Sequence, residues 1–154
     1  MENILTQLYP PEEIFVSNPR YREDKPEMTV DCCVPQSRGY MLRPMPYISA
    51  ENYVRILSQA SYLLGYYVID KKMLPLKVES EEFLKAAIDL QLYYRNIGMT
   101  FHKVVSKGEV FEMTLRLTDF KELKRLEDFI LFTFTNKRTV ISGEMSFVYA
   151  PSAR

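Results

Sequence analysis

The sequence has few of the residues that metal centres and disulfide frameworks require. Its 154 residues include two cysteines, one histidine and no tryptophan. Cys32 and Cys33 are adjacent, which disfavours a disulfide between them, and no CxxC motif or Cys/His cluster is present to bind zinc. The composition therefore predicts a reduced, intracellular protein without a metal site.

Excess charge of either sign is also absent. Lys plus Arg number 20 and Asp plus Glu number 20, so the formal net charge is zero. No electrostatic field of the whole protein would attract nucleic acid, and no local basic run is interleaved with aromatic residues. We therefore predict no nucleic-acid binding. The hydrophobic content of 47% fits one globular domain with a substantial core.

Long uninterrupted apolar runs are missing as well. The longest apolar stretch, residues 53–69, is interrupted by Arg55, Ser58, Gln59 and Ser61. The N-terminus has no basic segment followed by an apolar one. These features predict a cytoplasmic protein with neither a secretion signal nor a membrane span.

What the chain does have is one long apolar helix near its middle. Ser49 occupies an N-cap position, so we expect the helix to begin at Ala50 and to end near Asp70. One face of this predicted helix is apolar: Tyr53, Ile56, Leu57, Ala60, Leu63, Leu64 and Tyr67. A neighbouring stripe is small: Val54, Ser58, Ser61 and Gly65. A helix of this kind must be enclosed by other elements.

The remaining pattern predicts one domain with an antiparallel sheet. Residues 1–27 contain four prolines and predict an irregular arm or short helix that packs on a single domain formed by residues 28–154. We expect short strands at 28–34 and 39–43, and a second helix over 80–95 whose apolar residues have helical spacing.

After residue 96 the hydrophobic period changes to two. This period predicts a hairpin of strands 99–105 and 110–118, and a second strand pair at 126–135 and 139–149. Residues 129–134 are apolar on both faces except at Thr133, as expected of a central strand.

A long helix followed by strands that can curl around it resembles the hot-dog fold, an α+β architecture. The segment LSQASYLLGYYVI resembles the apolar helix of hot-dog acyl-thioester enzymes, and FHKVVSKGEVFEMTLRL resembles their strand, turn and strand. Within that superfamily the chain resembles most the FcoT-type long-chain acyl-CoA thioesterase family, over roughly residues 28–150. The matching positions are Tyr40, the loop 43–48, Gln59 to Tyr62, and Ser142 to Glu144.

The resemblance implies a homodimer or higher homo-oligomer that acts on an acyl thioester, carried by coenzyme A or by an acyl carrier protein. No cofactor is implied beyond the coenzyme A or phosphopantetheine of the substrate. A dimer surface is also predicted from apolar strand residues such as Phe132, Phe134 and Phe147, which we expect on the sheet edges and outer face.

The chemistry predicted for the site is polarisation of a carbonyl rather than strong acid–base catalysis. The loop 43–48 has no histidine, and the helix position where related dehydratases place a carboxylate holds Arg55. Backbone N–H groups at the start of the helix can instead donate hydrogen bonds to the thioester oxygen as it becomes negative. Tyr40, Ser49 and Gln59 are the candidate catalytic residues.

A medium-to-long acyl chain is expected in a narrow apolar tunnel along the helix. The candidate substrate-binding residues are Tyr47, Asn52, Val54, Leu57, Ser58, Ser61, Tyr62 and Gly65. The candidates for binding the phosphates of coenzyme A or phosphopantetheine are Lys103, Lys107 and Arg138.

Structural roles compete with each of these assignments. Ser49 fits a simple N-cap, Gln59 a buried amide that ties the helix to the sheet, His102 a surface ring, and the basic residues a solvated face. Three functions remain open on the sequence: thioester hydrolysis, which the resemblance favours, addition of an amine such as glycine to an enoyl thioester, and acyl binding or scaffolding without catalysis.

Overall fold

The computed structural model describes residues 4–36, 45–123, 129–136 and 139–149. Its helices are α1 (Leu5–Leu8), α2 (Ala50–Asp70) and α3 (Ser80–Ile88), with a 3₁₀ turn at Pro11–Glu13. Its strands are β1 (Val16–Tyr21), β2 (Glu27–Cys32), β3 (Leu92–Phe101), β4 (Phe111–Leu123), β5 (Phe129–Asn136) and β6 (Ile141–Tyr149).

The six strands form one antiparallel sheet in the order β1-β2-β4-β5-β6-β3. The prediction that β5 and β6 pair is confirmed, and so is the central position of β5 between β4 and β6. The short strand predicted at 39–43 falls outside the described residues.

The predicted hairpin of residues 99–105 and 110–118 is wrong. β3 pairs with β6, whereas β4 pairs with β2 and β5. The connecting segment, residues 102–110, is instead held by the chain that precedes α2, because Ile48 N donates to Val105 O and Lys107 N to Pro46 O, both over 2.9 Å. The turn signals are real, but they mark a crossover from one end of the sheet to its middle.

The helix predicted over residues 80–95 is too long, because α3 ends at Ile88 and β3 begins at Leu92. Leu90 adopts a positive φ of 56°, and Gln91 N donates to Ala86 O over 2.8 Å. This is the hydrogen-bond pattern of a Schellman cap, in which the left-handed residue is usually glycine. With leucine in that position, the sequence carries no signal for the end of the helix.

The N-terminal residues are more regular than expected. β1 lies within the predicted irregular arm and pairs with β2 at the edge of the sheet, so the irregular description is wrong for residues 16–21. Residues before β1 pass over α2, as the contacts of Gln59 described below show.

The central helix is confirmed with the predicted bounds, Ala50–Asp70. All seven residues of its predicted apolar face are buried. They pack on inward-facing sheet residues, including Met113, Leu115, Phe132, Phe134 and Phe147. The exposed fractions of the three phenylalanines are 0%, 0% and 1%, so placing them on an outer or edge surface available for dimerisation was wrong.

Candidate functional site

The first turn of α2 presents hydrogen-bond donors that the protein does not use. Ser49 and Asn52 form a capping box, in which Asn52 N donates to Ser49 Oγ over 3.4 Å and Ser49 N donates to Asn52 Oδ1 over 3.1 Å. Within the described residues, the backbone N–H groups of Ala50 and Glu51 have no acceptor. Free N–H groups at the positive end of a helix are suited to bind an oxygen that carries negative charge.

Apolar side chains surround this turn and remain exposed to solvent. Tyr47 is 46% exposed and forms an isolated bridge with Ser106, while Phe101 is 47% exposed and its ring centroid lies 5.2 Å from that of Tyr53. Val104 and Val110, on the crossover segment 102–110, are 75% and 64% exposed. The free N–H groups are therefore bordered by an apolar surface that a ligand can cover.

The crossover segment also carries two of the basic residues predicted to bind phosphate. Lys103 and Lys107 lie on it, and the Lys103 side chain is 68% exposed and 4.0 Å from Glu109. The hydrogen bond from Lys107 N to Pro46 O holds this segment beside the loop that leads into α2. The other basic candidate, Arg138, and the candidate catalytic residue Tyr40 lie outside the described residues.

Glu51 is a candidate that the sequence reasoning passed over. It is the acidic residue of the first turn of α2, and its side chain is exposed. A carboxylate beside free N–H groups can accept a proton from an attacking water molecule. Its signal in the sequence is its place two residues after the N-cap Ser49, in the first turn of the helix.

The candidate catalytic residue Gln59 is bound at both ends of its amide. Its Oε1 accepts a hydrogen bond from Phe15 N over 2.8 Å, and its Nε2 donates to Glu13 O over 2.6 Å. The residue is fully buried. These contacts support the alternative that Gln59 ties α2 to the rest of the chain, although the partner is the N-terminal segment rather than the sheet face.

The arm that Gln59 holds is also tied to Arg55. This guanidinium forms a salt bridge with Glu13 and lies 5.4 Å from the centroid of the Phe15 ring. In related dehydratases this helix position is expected to hold a carboxylate, so here it serves to anchor the N-terminal residues instead. α2 is therefore covered by residues 13–15 along its Arg55 and Gln59 side.

The space over Gly65, at the C-terminal end of the small stripe, is filled by another part of the protein. A Cβ atom added at Gly65 would lie 2.9 Å from Cζ of Phe83, so the α3 ring fills the space over that glycine. Ser61 is fully buried and donates to Ser58 O, and Leu57 belongs to the core. A continuous open tunnel past Gly65 is thus not present.

At the preceding part of the same stripe, Ser58 contacts Tyr94 of β3, and Tyr94 in turn contacts Tyr62 of α2. Tyr94 OH donates to Ser58 Oγ over 2.7 Å, and Tyr62 OH lies 3.5 Å from Tyr94 OH. The prediction of a helix over 80–95 concealed Tyr94, because it placed this residue on a helix rather than on a strand that faces α2.

Burial controls the protonation of several groups near the site. It raises the pKa of Tyr53 to about 12 and raises the pKa of the Cys32 thiol far above its usual range, so both stay protonated at neutral pH. His102 lies on the surface, with its Nε2 2.7 Å from Ser142 Oγ.

In the described ranges, no group of three or more His, Cys, Asp or Glu residues is placed to hold a metal ion. No helix in the described part of the chain has the length and apolar character needed to cross a membrane.

Comparison with known proteins identifies the fold but not the family. No protein-family model and no curated protein matches the sequence. One chain of a dehydratase heterocomplex from Xenorhabdus doucetiae superposes with a TM-score of 0.56 at 11% identity, over 97% of this chain and 91% of that chain.

Two further structures are described as thioesterases. A hypothetical thioesterase from Streptococcus pneumoniae, solved with coenzyme A, gives a TM-score of 0.51 at 8% identity, over 96% of this chain and 94% of that chain. The 4-hydroxybenzoyl-CoA thioesterase from a Pseudomonas species gives 0.50 at 14% identity, over 80% of this chain and 84% of that chain. At these identities the similarity shows a shared fold, and the predicted α+β hot-dog architecture is confirmed.

Proposed function

We propose that the protein binds an acyl thioester at the first turn of α2 and hydrolyses it. The observation that carries this proposal is the pair of N–H groups at Ala50 and Glu51 that have no acceptor among the described residues, on a turn next to the exposed side chains of Tyr47 and Phe101 in a hot-dog fold. Donors fixed before the reaction stabilise the negative charge that develops on a carbonyl oxygen under attack. The similarity in fold to two structures described as thioesterases supports the proposal.

In the proposed reaction, water attacks the carbonyl carbon of the thioester. The carbonyl oxygen becomes negative and is bound by the N–H groups of Ala50 and Glu51, while the Glu51 carboxylate accepts a proton from the water. The carbon–sulfur bond then breaks, the sulfur leaves as a thiol after receiving that proton back from Glu51, and a carboxylic acid is released while Glu51 returns to its carboxylate form. Ser49 and Asn52 hold the turn in place through their capping box.

The carrier of the acyl group is proposed to be coenzyme A or the phosphopantetheine of a carrier protein. Its phosphates would meet Lys103 and Lys107, which are on the segment that borders the same turn. Lysine binds phosphate as a point charge and does not require a rigid geometry. Arg138 remains part of this proposal. The acyl group would cover the exposed side chains of Tyr47 and Phe101.

Binding and turnover are tested separately. Thermal shift with acyl-CoAs, coenzyme A and the matching free acids should show stabilisation that is greatest for the thioesters. Release of free thiol from the acyl-CoA that stabilises most should then be measured for the wild type, for Glu51→Gln and for Glu23→Gln. Glu23 is an exposed carboxylate of the β1–β2 turn and serves as the matched control.

Loss of at least 10²-fold in turnover for Glu51→Gln, with unchanged binding and an unaffected control, would support hydrolysis at this turn. Stabilisation without any thiol release would identify the second candidate, binding without catalysis, which is favoured by the exposure of Glu51 to water. A mass gain on an enoyl thioester in the presence of glycine would identify the amine-addition reaction. No stabilisation by any thioester would contradict the proposal as a whole.

A further inference from the structure

The edge strand β3 runs beside α2 without packing tightly on it. Apart from α3, α2 packs most closely on β4, β1 and β2, and β3 reaches it through long side chains. Tyr94 and Phe101 point inward from β3 toward α2, yet they are 46% and 47% exposed. An inward-facing side chain that remains half exposed indicates a groove that is open to solvent. We call this space, between Val54 and Ser58 on one side and Tyr94 and Phe101 on the other, the edge groove.

The Tyr94 ring is fixed across the edge groove by hydrogen bonds. Tyr94 OH donates to Ser58 Oγ over 2.7 Å, and Ser58 Oγ in turn donates to Val54 O over 2.8 Å. Tyr62 OH, at 3.5 Å, lies on the other side of the Tyr94 hydroxyl. Ser58 is only 4% exposed, so the phenol of a half-exposed tyrosine is anchored to a nearly buried group on the helix. The hydroxyl groups satisfy each other and leave the ring of Tyr94 as the surface that a ligand in the groove would meet.

We infer that Tyr94 ends the acyl-binding groove at the level of Ser58 and thereby sets the longest acyl group that fits. This inference rests on the proposed binding of an acyl thioester at the first turn of α2. From Ala50 to Ser58 the helix rises eight residues, or about 12 Å, which favours a medium-length chain over a long one. An apolar chain end meets an aromatic ring there and needs no polar partner.

A second aromatic side chain blocks the space along α2 beyond Tyr94. Phe83 of α3 occupies the space over Gly65, two turns further along α2 than Ser58. Its ring is packed among Phe132, Phe147 and Tyr149 and is 1% exposed. Phe83 is therefore a fixed wall, whereas Tyr94 is held through its hydroxyl by Ser58 and Tyr62 of the helix and borders solvent. Tyr94 is the residue whose replacement can lengthen the groove without disturbing the core.

The chain offers a matched control at the preceding residue. Tyr93 is 53% exposed, lies on the same strand and, by the alternation of strand side chains, points to the opposite face of the sheet. The experiment measures dissociation constants for saturated acyl-CoAs of graded length, from butyryl to palmitoyl. The proteins compared are the wild type, Tyr94→Ala, Tyr94→Phe and Tyr93→Ala, with thermal unfolding as a check that each variant is folded.

For the wild type we expect binding to tighten by about fourfold for each added methylene that is buried, until the chain reaches Tyr94, and to weaken for longer chains. Tyr94→Ala should move the optimum to longer chains and tighten palmitoyl-CoA binding by at least tenfold. Tyr94→Phe keeps the ring but removes its anchor, so its optimum should lie between the two. Tyr93→Ala should keep the wild-type optimum.

An optimum that is the same in Tyr94→Ala and Tyr93→Ala, in proteins that do bind acyl-CoA, would overturn the role of Tyr94 and leave the proposed function standing. A Tyr94→Phe variant that loses binding of all chain lengths equally would also overturn it, because the hydroxyl would then be a ligand contact. If the wild type binds no acyl-CoA of any length, the proposed function itself fails, and this inference fails with it.

Discussion

The side-chain oxygen of Gln59, on the central helix, accepts a hydrogen bond from the backbone N–H of Phe15, which lies 44 positions earlier in the chain, over 2.8 Å. The amide nitrogen of the same residue donates to Glu13 O. One buried side chain thus replaces the hydrogen bonds that the backbone of residues 13–15 would otherwise make with water. Buried polar groups of this kind are costly to leave unpaired.

Replacing Gln59 with alanine is expected to lower the free energy of unfolding by about 1–3 kcal/mol, because Phe15 N and Glu13 O would lose their partners. Urea unfolding measures this loss. Gln7→Ala, at an exposed position of α1, should change the stability little. Gln59→Glu should be destabilised as well, since a carboxylate cannot donate to Glu13 O. A folded Gln59→Glu protein that binds acyl-CoA normally but has lost thioester turnover would restore the catalytic role predicted from the sequence.

Gly143 and Gly98 provide a matched pair of sites for a test of sheet packing. A Cβ atom added at Gly143 would lie 2.5 Å from Gly98 O and 3.2 Å from Met99 Cα, which are backbone atoms of the neighbouring strand. A Cβ atom at Gly98 would meet nothing within 4 Å. Gly143→Ala is therefore expected to lower the melting temperature by several degrees, as about 1–3 kcal/mol of overpacking would, and Gly98→Ala to leave it nearly unchanged. Equal melting temperatures for both variants would contradict the close approach of β3 and β6.

Tyr53 is expected to be a site where a smaller side chain stabilises the protein. Its ring is 1% exposed, and its hydroxyl has no hydrogen-bond partner in the part of the chain that the structure describes. Tyr53→Phe should raise the free energy of unfolding by about 1 kcal/mol, because the cost of burying an unpaired hydroxyl disappears. Tyr47→Phe, at a half-exposed position, is the control and should have little effect.

The same residue predicts a dependence of stability on alkaline pH. Burial raises the pKa of Tyr53 to about 12 from the ordinary tyrosine pKa of 10.0. A raised pKa in the folded state means that stability is fully present below pH 10 and is lost as the pH rises toward 12. Tyr53→Phe should lose less stability than the wild type over this range. Identical profiles, measured by urea unfolding at each pH, would show that Tyr53 does not titrate in this way.

The exposed edge of β3 predicts self-association. β3 is an outer strand of the sheet, so one of its edges has no neighbouring strand in the described part of the chain. Exposed strand edges pair readily with a second strand. Light scattering at micromolar concentration should therefore give twice the chain mass of 18.1 kDa. A mass of 18.1 kDa across the concentration range would contradict the homodimer predicted from the sequence.

The sequence predicted α2 almost to the residue, because its limits follow from local signals. Ser49 caps the start, and the seven apolar residues on one face have no other place than the core. The end of α3 and the start of β3 were not predictable in this way. Leu90 takes the left-handed position that a glycine usually marks, so the chain turns without a sequence signal.

Local sequence patterns could not predict which strands pair when the strands are distant along the chain. The hydrophobic period predicted strands near residues 99–105 and 110–118, but these two segments do not pair, because residues 105–108 form hydrogen bonds with residues 34, 46 and 48 instead. In the candidate site, too, the sequence predicted local features but not contacts between distant elements. Ser49 and Asn52 were identified from their spacing, whereas the contact between Tyr94 and Ser58 depends on the strand assignment that the helical spacing concealed.

The order of the strands also bears on how the chain folds during synthesis. β3 is made before β4 and β5, yet the strand that pairs with it is β6, the last one to be made. Until β6 leaves the ribosome, the apolar side chains of β3 have no neighbouring strand, and contacts between such distant segments form slowly. A nascent chain that stops before residue 141 therefore lacks β6 and is expected to be a target for chaperones or to aggregate.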